Sequence, residues 1–404
     1  TICGCGLTTV ALENEYSTVI AVPSKNLLDN KQQQYSLKED YPYELFIIKG
    51  GVSLKEIEAY IKRASVIKIM VTYDSLYKVE HILDSIDSLV IDEAQELTNL
   101  IDLKSSDKRN PIDVITKLYT IAYKHKDKVS FITATPIPLA YEPDWMCDLD
   151  YHKIEWDNTI KVKPMLMETS FPVKSVIDKI VAPIKLNGYA ELVNSSNEVV
   201  QVKKTIIFIN SVSSILTICK KANLSTNEVG FIVGESLEND IRLNKYNRIR
   251  DPRNLPTFTF ITSCGYSGID LYDKEALTII ISNIGKDYTM IDILTDLKQA
   301  ASRQRDISNP FINTFLYVYK VNPFSGGLDT LKDLIKSNKE EVIRATNQAN
   351  QLISLNVDKY LGGKLTEEEF KAEINTTLKF KIGHATFNKY SLLSETDDSI
   401  EVTL

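Results

Sequence analysis

Val90-Ile91-Asp92-Glu93-Ala94-Gln95 is an apolar run that ends in two adjacent carboxylates. At the carboxyl end of a strand in an α/β sheet such a pair has a defined chemistry. One carboxylate holds Mg²⁺, usually through water, and the next orients or deprotonates an attacking water. Asp92 suits the first role and Glu93 the second. Taken alone, the stretch reads equally well as a solvated strand-to-helix turn, because acidic residues also favour helix amino ends. Its neighbours along the chain decide between the two.

Short β-branched apolar runs recur on either side, at residues 18–22, 45–48, 67–72, 88–91 and 129–133, with helical stretches between them. Bounded by polar turns, they read as buried parallel strands. A second series follows at 205–209, 229–233, 257–262, 277–281 and 311–318. The expected fold class is α/β: two doubly wound units with parallel sheets, plus a small helical C-terminal segment. A chain of 404 residues is too long for one core, which agrees. The expected division is 1–150 for the first unit and 151–325 for a linker and the second. Residues 326–404 are expected to form a helical extension and a polar tail. Residues 141–185, with several prolines and both tryptophans, carry weak periodicity and read as the connection.

The other chemistry-bearing segments fall at strand ends of this plan. Gly4-Cys5-Gly6-Leu7-Thr8-Thr9 opens a helix-like stretch. Backbone N–H groups in such a loop cradle phosphates and a hydroxyl, here Thr8, ligates Mg²⁺. The lysine usual in such loops is absent. Thr133-Ala134-Thr135-Pro136 follows the last strand of the first series. In the second series Thr262-Ser263-Cys264-Gly265-Tyr266-Ser267-Gly268-Ile269-Asp270 puts a hydroxyl at a strand end with an acid eight residues on. Gln299-Ala300-Ala301-Ser302-Arg303-Gln304-Arg305 offers two guanidiniums, the group that binds phosphate oxygens in bidentate fashion. The last motif by itself reads more simply as a solvated basic turn.

Bulk properties narrow the function. No apolar run reaches the ~20 residues that span a bilayer, so no membrane partner is expected. Five scattered cysteines, Cys3, Cys5, Cys147, Cys219 and Cys264, lack metal-ligand spacing. A reducing, cytoplasmic setting is expected. With 47 basic and 54 acidic residues the net charge is −7, so nucleic acid would have to be held by a local groove. Thr1 is not an initiator methionine and the glycine loop lacks a feeding strand, so a missing N-terminal region of the same protein is expected.

Taken in order, these segments resemble the motif series of superfamily 2 helicases over roughly the first 320 residues. Gly4 to Thr9 resembles motif I, Pro23-Ser24-Lys25 motif Ia and Val71-Thr72-Tyr73-Asp74-Ser75-Leu76 motif Ib. Asp92-Glu93-Ala94-Gln95 is similar to motif II in DEAD/DEAH style, and residues 133–136 to motif III. Residues 205–211, 262–270 and 299–305 resemble motifs IV, V and VI. The form of the last is similar to viral and phage replication helicases, including the herpesvirus origin-binding type, whose setting would be the host-cell cytoplasm.

The resemblance implies two RecA-like lobes with ATP and Mg²⁺ between them. Gly4, Gly6, Thr8 and Thr9 would hold phosphates, Thr8 and Asp92 the metal, and Glu93 the water. Gln299, Arg303 and Arg305 would reach the γ-phosphate, and Asp270 would lie near the ribose or coordinate the arginines. Lys25, Thr72 and Thr262 would hold a nucleic-acid backbone, DNA ahead of RNA. The implied activity is a nucleic-acid-dependent ATPase, helicase or translocase in replication or processing. Two departures stand out: Leu7 replaces the motif I lysine, and Ser302 a usual glycine. Leu7 leaves a second function open, a catalytically impaired RecA-like scaffold that binds nucleic acid or a protein partner.

Overall fold

A computed structural model describes residues 6–97, 111–136, 144–154, 160–194, 197–243, 246–249, 251–266, 268–283, 289–291, 293, 295–320 and 400–402. They fall into two compact units, one before residue 155 and one from residue 160 onward. Apart from 400–402, the segment expected to form a helical extension lies outside the described residues.

The first unit is a parallel sheet of β1 (Thr18–Val22), β2 (Leu45–Ile48), β3 (Lys68–Thr72), β4 (Ser88–Asp92) and β5 (Val129–Ile132), in the order β2-β3-β1-β4-β5. Thr-Val-Ile-Ala-Val in β1 is buried at all five positions. A strand so uniformly apolar is stable only where both faces are covered, and β1 sits in the middle of the sheet. Helices α1 (Leu7–Glu13) and α2 (Lys25–Ser36) cover one face, where Leu12, Leu28, Ile20, Val22 and Met70 pack together. Helix α3 (Leu54–Arg63), the tight turns of Tyr73–Ser85 and the helix Pro111–Lys124 cover the other, around Val19, Ile57, Tyr60, Leu89 and Leu118. Ser53 and Glu56 start α3 with a reciprocal capping box, which satisfies two amide donors that the helix leaves unpaired. The consequence for function is positional: β1, β3, β4 and β5 all present their carboxyl ends at one edge, where α1 and α2 begin.

The second unit carries β6 (Ile160–Glu168), β7 (Ala190–Val193), β8 (Val199–Val202), β9 (Thr205–Phe208), β10 (Val229–Ile232), β11 (Asn247–Arg248), β12 (Phe258–Ile261), β13 (Leu277–Ser282), β14 (Thr314–Tyr319) and β15 (Ile400–Val402). Its main sheet runs β11-β10-β12-β9-β13-β14-β6-β15, and β7 pairs with β8 in a separate antiparallel hairpin. All pairs of the main sheet are parallel except β15 with β6. One face packs through Ile207, Ile279 and Phe260, the other through Phe208, Ile280 and Phe315, as the period of two in a strand requires. Gly265 follows β12 because a Cβ there would stand 2.5 Å from Cγ2 of Ile261.

The α/β class with two parallel-sheet units is what the apolar runs led one to expect. The stretch 141–185 is different: it is not only a connection. Its residues 160–168 form β6, pairing with β14 from Lys163↔Thr314 to Glu168↔Tyr319, and Pro172–Val176 begins a helix that continues to Asn187. Lys161, Lys163 and Pro164 interrupt the apolar pattern that would have marked the strand. Proline is tolerated there because β6 lies next to the sheet's edge and its outer neighbour, the short β15, pairs only with residues 160–162.

Candidate functional site

Gly6 is the first described residue and caps α1 with φ 78°, a left-handed conformation that glycine adopts without strain. Its carbonyl accepts the Val10 N–H at 3.0 Å, which closes the first turn. The turn carries Thr8 toward the end of β4, where the Thr8 hydroxyl donates to Oδ2 of Asp92 at 2.7 Å, across 84 residues of sequence. Thr9, half-buried, lies beside Tyr35 of α2 and bonds its hydroxyl. Leu7 occupies the first helical position and is half-buried. Gly4 lies outside the described residues.

Asp92 is only 6% exposed. Burial pushes its pKa upward, and the neighbouring Glu93 carboxylate adds to the effect. The Thr8 hydroxyl, the Glu93 N–H at 3.0 Å and the Lys31 ammonium on α2 act in the opposite direction. Two crowded carboxylates beside a hydroxyl are what a divalent cation would relieve. Thr8 and Asp92 supply hard oxygen donors, the type that Mg²⁺ prefers. Among the described residues no cluster of three or more His, Cys, Asp or Glu could hold a metal by itself. Such a site fits Mg²⁺ that arrives with phosphates, since this ion commonly takes one or two protein ligands and completes its shell from phosphate and water.

Glu93 has φ 55°, in a region that residues with a Cβ rarely adopt. The turn is held from three sides. The Tyr73 hydroxyl donates to the Asp92 carbonyl and lies 3.2 Å from that of Glu93. The Ala94 N–H reaches the Ile132 carbonyl of β5 at 2.9 Å. Gln95, buried, donates from Nε2 to Oε2 of Glu93 at 2.7 Å and accepts the Thr133 hydroxyl on its Oε1. Thr133 in turn accepts the Thr135 N–H at 3.0 Å. A chain of hydrogen bonds therefore runs from Glu93 to the end of β5. The Thr135 hydroxyl beyond it is buried without a partner among the described residues. The specific roles of Tyr73 and Gln95 had no signal in the sequence beyond lying in the segments 71–76 and 92–95.

In the second unit, Gln299, Arg303 and Arg305 lie at the end of the short helix Asp296–Ala301. Arg303 is 4% exposed and turns inward: its Nε donates to the Gln299 carbonyl at 2.8 Å and its Nη2 to Gln299 Oε1 at 2.6 Å. Arg305 donates from Nε to Asp270 Oδ1 at 2.8 Å. The Leu271 N–H reaches the Arg303 carbonyl and the Arg305 N–H the Leu271 carbonyl, both at 2.9 Å. Residues 270–273 and 303–305 thus form one clamp, closed by Gln304, whose Oε1 accepts the Asp273, Arg305 and Asp306 N–H groups. Asp270, expected near the ribose or the arginines, accepts the bond from Arg305.

The three residues expected to touch a nucleic-acid backbone are placed unequally. Lys25 is exposed in the first turn of α2. Thr72 ends β3 and is 7% exposed. Thr262 follows β12, equally covered, with its hydroxyl 3.4 Å from Cys264 Sγ. The site residues therefore form two groups, Thr8, Asp92 and Glu93 in the first unit and Asp270, Gln299, Arg303 and Arg305 in the second.

No protein-family model and no curated protein matches the chain. Solved structures that resemble it include helicases. The DUF1998 helicase MrfA bound to DNA aligns at 15% identity and a TM-score of 0.46, over 79% of this chain and 42% of that one. Dbp5 of S. cerevisiae, a variant bound to RNA and ADP BeF3, aligns at 12% identity and a TM-score of 0.44, over 93% and 84%. The DEAD-box helicase Mss116 bound to ssRNA and UDP-BeF aligns at 14% and 0.41, over 93% and 78%.

Proposed function

We propose that the chain is a nucleic-acid-dependent ATPase of the helicase or translocase type, whose first unit binds ATP with Mg²⁺. The observation that carries this is the 2.7 Å bond between Thr8 and Asp92 at the end of β4, with Glu93 next to it. Hydroxyl and carboxylate would hold the metal, which when bound supplies positive charge to the phosphate oxygens and a template for them. Glu93, kept in place by Gln95, accepts a proton from the attacking water. Gly6 and the first turn of α1 present N–H groups to the phosphates. Arg305, oriented by Asp270, serves charge that develops on the transferred phosphoryl group. Arg303, spent on Gln299, acts by holding that turn in shape. Lys25 contacts the backbone of the nucleic acid, DNA or RNA.

A second function, a scaffold without turnover, is favoured by Leu7. Leucine offers the β- and γ-phosphates no charge and leaves them to N–H groups and Mg²⁺. Thermal unfolding with and without ATP–Mg²⁺ separates the two. A ligand at a hundredfold excess over its Kd stabilises by about 2.7 kcal/mol, or roughly 5 °C in a unit of this size. ATP–Mg²⁺ should raise Tm by that order, and Asp92→Asn should remove most of the rise together with its dependence on Mg²⁺. No shift at millimolar nucleotide would leave the scaffold.

A further inference from the structure

Lys68 opens β3 and its side chain has no solvent exposure. A buried ammonium is costly unless its donors are all used. Here the three protons meet three acceptors: the Ala11 carbonyl at 3.1 Å, Asn14 Oδ1 at 2.8 Å and the Tyr16 carbonyl at 2.7 Å. All three lie at the carboxyl end of α1 or just past it. That end also carries the helix's negative partial charge, which a cation offsets. Tyr60 fixes the Lys68 backbone, accepting its N–H at 2.8 Å, and the Tyr43 ring lies 5.3 Å from the ammonium. A leucine or methionine would fill the same volume at no electrostatic cost. Helix α1 has seven residues, too few to be stable unaided, and its other end bears the Thr8–Asp92 bond.

We propose that Lys68 is a positioning residue for the nucleotide site: the hydrogen bonds of its amino group fasten the carboxyl end of α1 and so keep Thr8 on Asp92. The inference rests on the nucleotide-binding function given above for Thr8 and Asp92, but the anchoring itself can be read without nucleotide. Burial pulls the Lys68 pKa down to about 8, opposed by the Asp87 carboxylate. The other charged or titratable groups facing it are Tyr43, Tyr60, Tyr41, which bonds the Leu12 carbonyl, and Glu13, engaged by Lys38 and Tyr35. Burial raises Tyr41 and Tyr60, and the Lys38 bond lowers Glu13, so these stay in one form between pH 7 and 9. Above pH 8 the amine has two protons for three acceptors and no charge for the helix end.

An open-chain lysine titrates at about 10.4, so every state in which Lys68 is hydrated, the unfolded chain and the chain with α1 opened alike, binds the proton more tightly than the docked one, and both the fold and the docking of α1 gain as pH rises from about 8. What fastens α1 is therefore the set of three hydrogen bonds, made against the cost of the buried charge.

The test is amide hydrogen exchange of Val10 and Asn14, which bond the Gly6 and Val10 carbonyls, at pH 7 and 9 after correction for intrinsic rates. It is read beside ATP–Mg²⁺ affinity in the full chain. In wild type, protection and affinity should each rise from pH 7 to 9, as the cost of the buried charge is lost. Lys68→Met leaves the three acceptors bare and should lower both by about fivefold at pH 7, the size of about one hydrogen bond, with no step between the two pH values. Asn14→Ala, a milder change, removes one acceptor of the charged form and should move the midpoint of the wild-type step to lower pH. If nucleotide binds nowhere while protection follows Lys68, the nucleotide function falls and the anchoring stands. Protection indifferent to pH and to both substitutions overturns the anchoring.

Discussion

Glu93 shows at a single residue how the site is built. Its φ of 55° costs on the order of 1 kcal/mol relative to an ordinary conformation, and a glycine would avoid the cost. A glycine would also lose the carboxylate that Gln95 holds at 2.7 Å. Strain kept together with a fixed side chain is the pattern expected where position serves chemistry. Glu93→Gln keeps the shape and the backbone and removes only the capacity to accept a proton. Turnover of ATP should then fall by about 10²–10⁴-fold, while ATP–Mg²⁺ affinity stays within about twofold of wild type. Phosphate release from the purified variant and a nucleotide titration read the two quantities. Unchanged turnover would remove Glu93 from the reaction.

At the scale of elements, Tyr73 is the buttress of the β4 turn, since its buried hydroxyl serves the Asp92 carbonyl and lies near that of Glu93. Tyr73→Phe leaves the packing and strips that bond. An unpaired buried carbonyl costs about 1–3 kcal/mol, so chemical denaturation should show a loss in that range, and turnover should fall with Tm only slightly changed by nucleotide. Stability equal to wild type would mean that the turn holds itself. Neither this contact nor that of Lys68 was legible in the sequence. Tyr73 looks like any residue after a strand, and Lys68 looks like a polar strand terminus at the surface, until the fold brings Ala11, Asn14 and Tyr16 across more than fifty residues to meet it. The central strands were legible, because β1 and β13 must be apolar on both faces and their sequences say so. By contrast β6, near an edge, needs burial only at positions such as Val162 and Met165, which leaves Lys161, Lys163 and Pro164 to disguise it. Carboxylate, hydroxyl and arginine segments were legible as chemistry, but the inward turn of Arg303 was not, since it depends on a partner, Gln299, on the helix that ends just before it.

At the scale of the molecule the charge balance would set the character of the proposed nucleic-acid binding. Seven more acidic than basic side chains give no long-range field to gather phosphates, and of the three expected backbone contacts Thr72 and Thr262 are covered while Lys25 is exposed. Few cations are thus committed, and each phosphate neutralised releases less than one counterion on average. With Lys25 as such a contact, affinity should fall only about three- to fourfold between 50 and 200 mM salt, against the 10³–10⁵ of a strongly basic binder. Contacts to phosphate carry no sequence information, so oligonucleotides of different sequence should bind within a few fold of one another. Lys25→Ala should weaken all of them alike and reduce the slope of log affinity against log salt by about 1. Fluorescence anisotropy over a salt series measures both quantities. A steep slope would require a basic surface other than Lys25, and binding confined to one sequence would require contacts to bases rather than to the backbone.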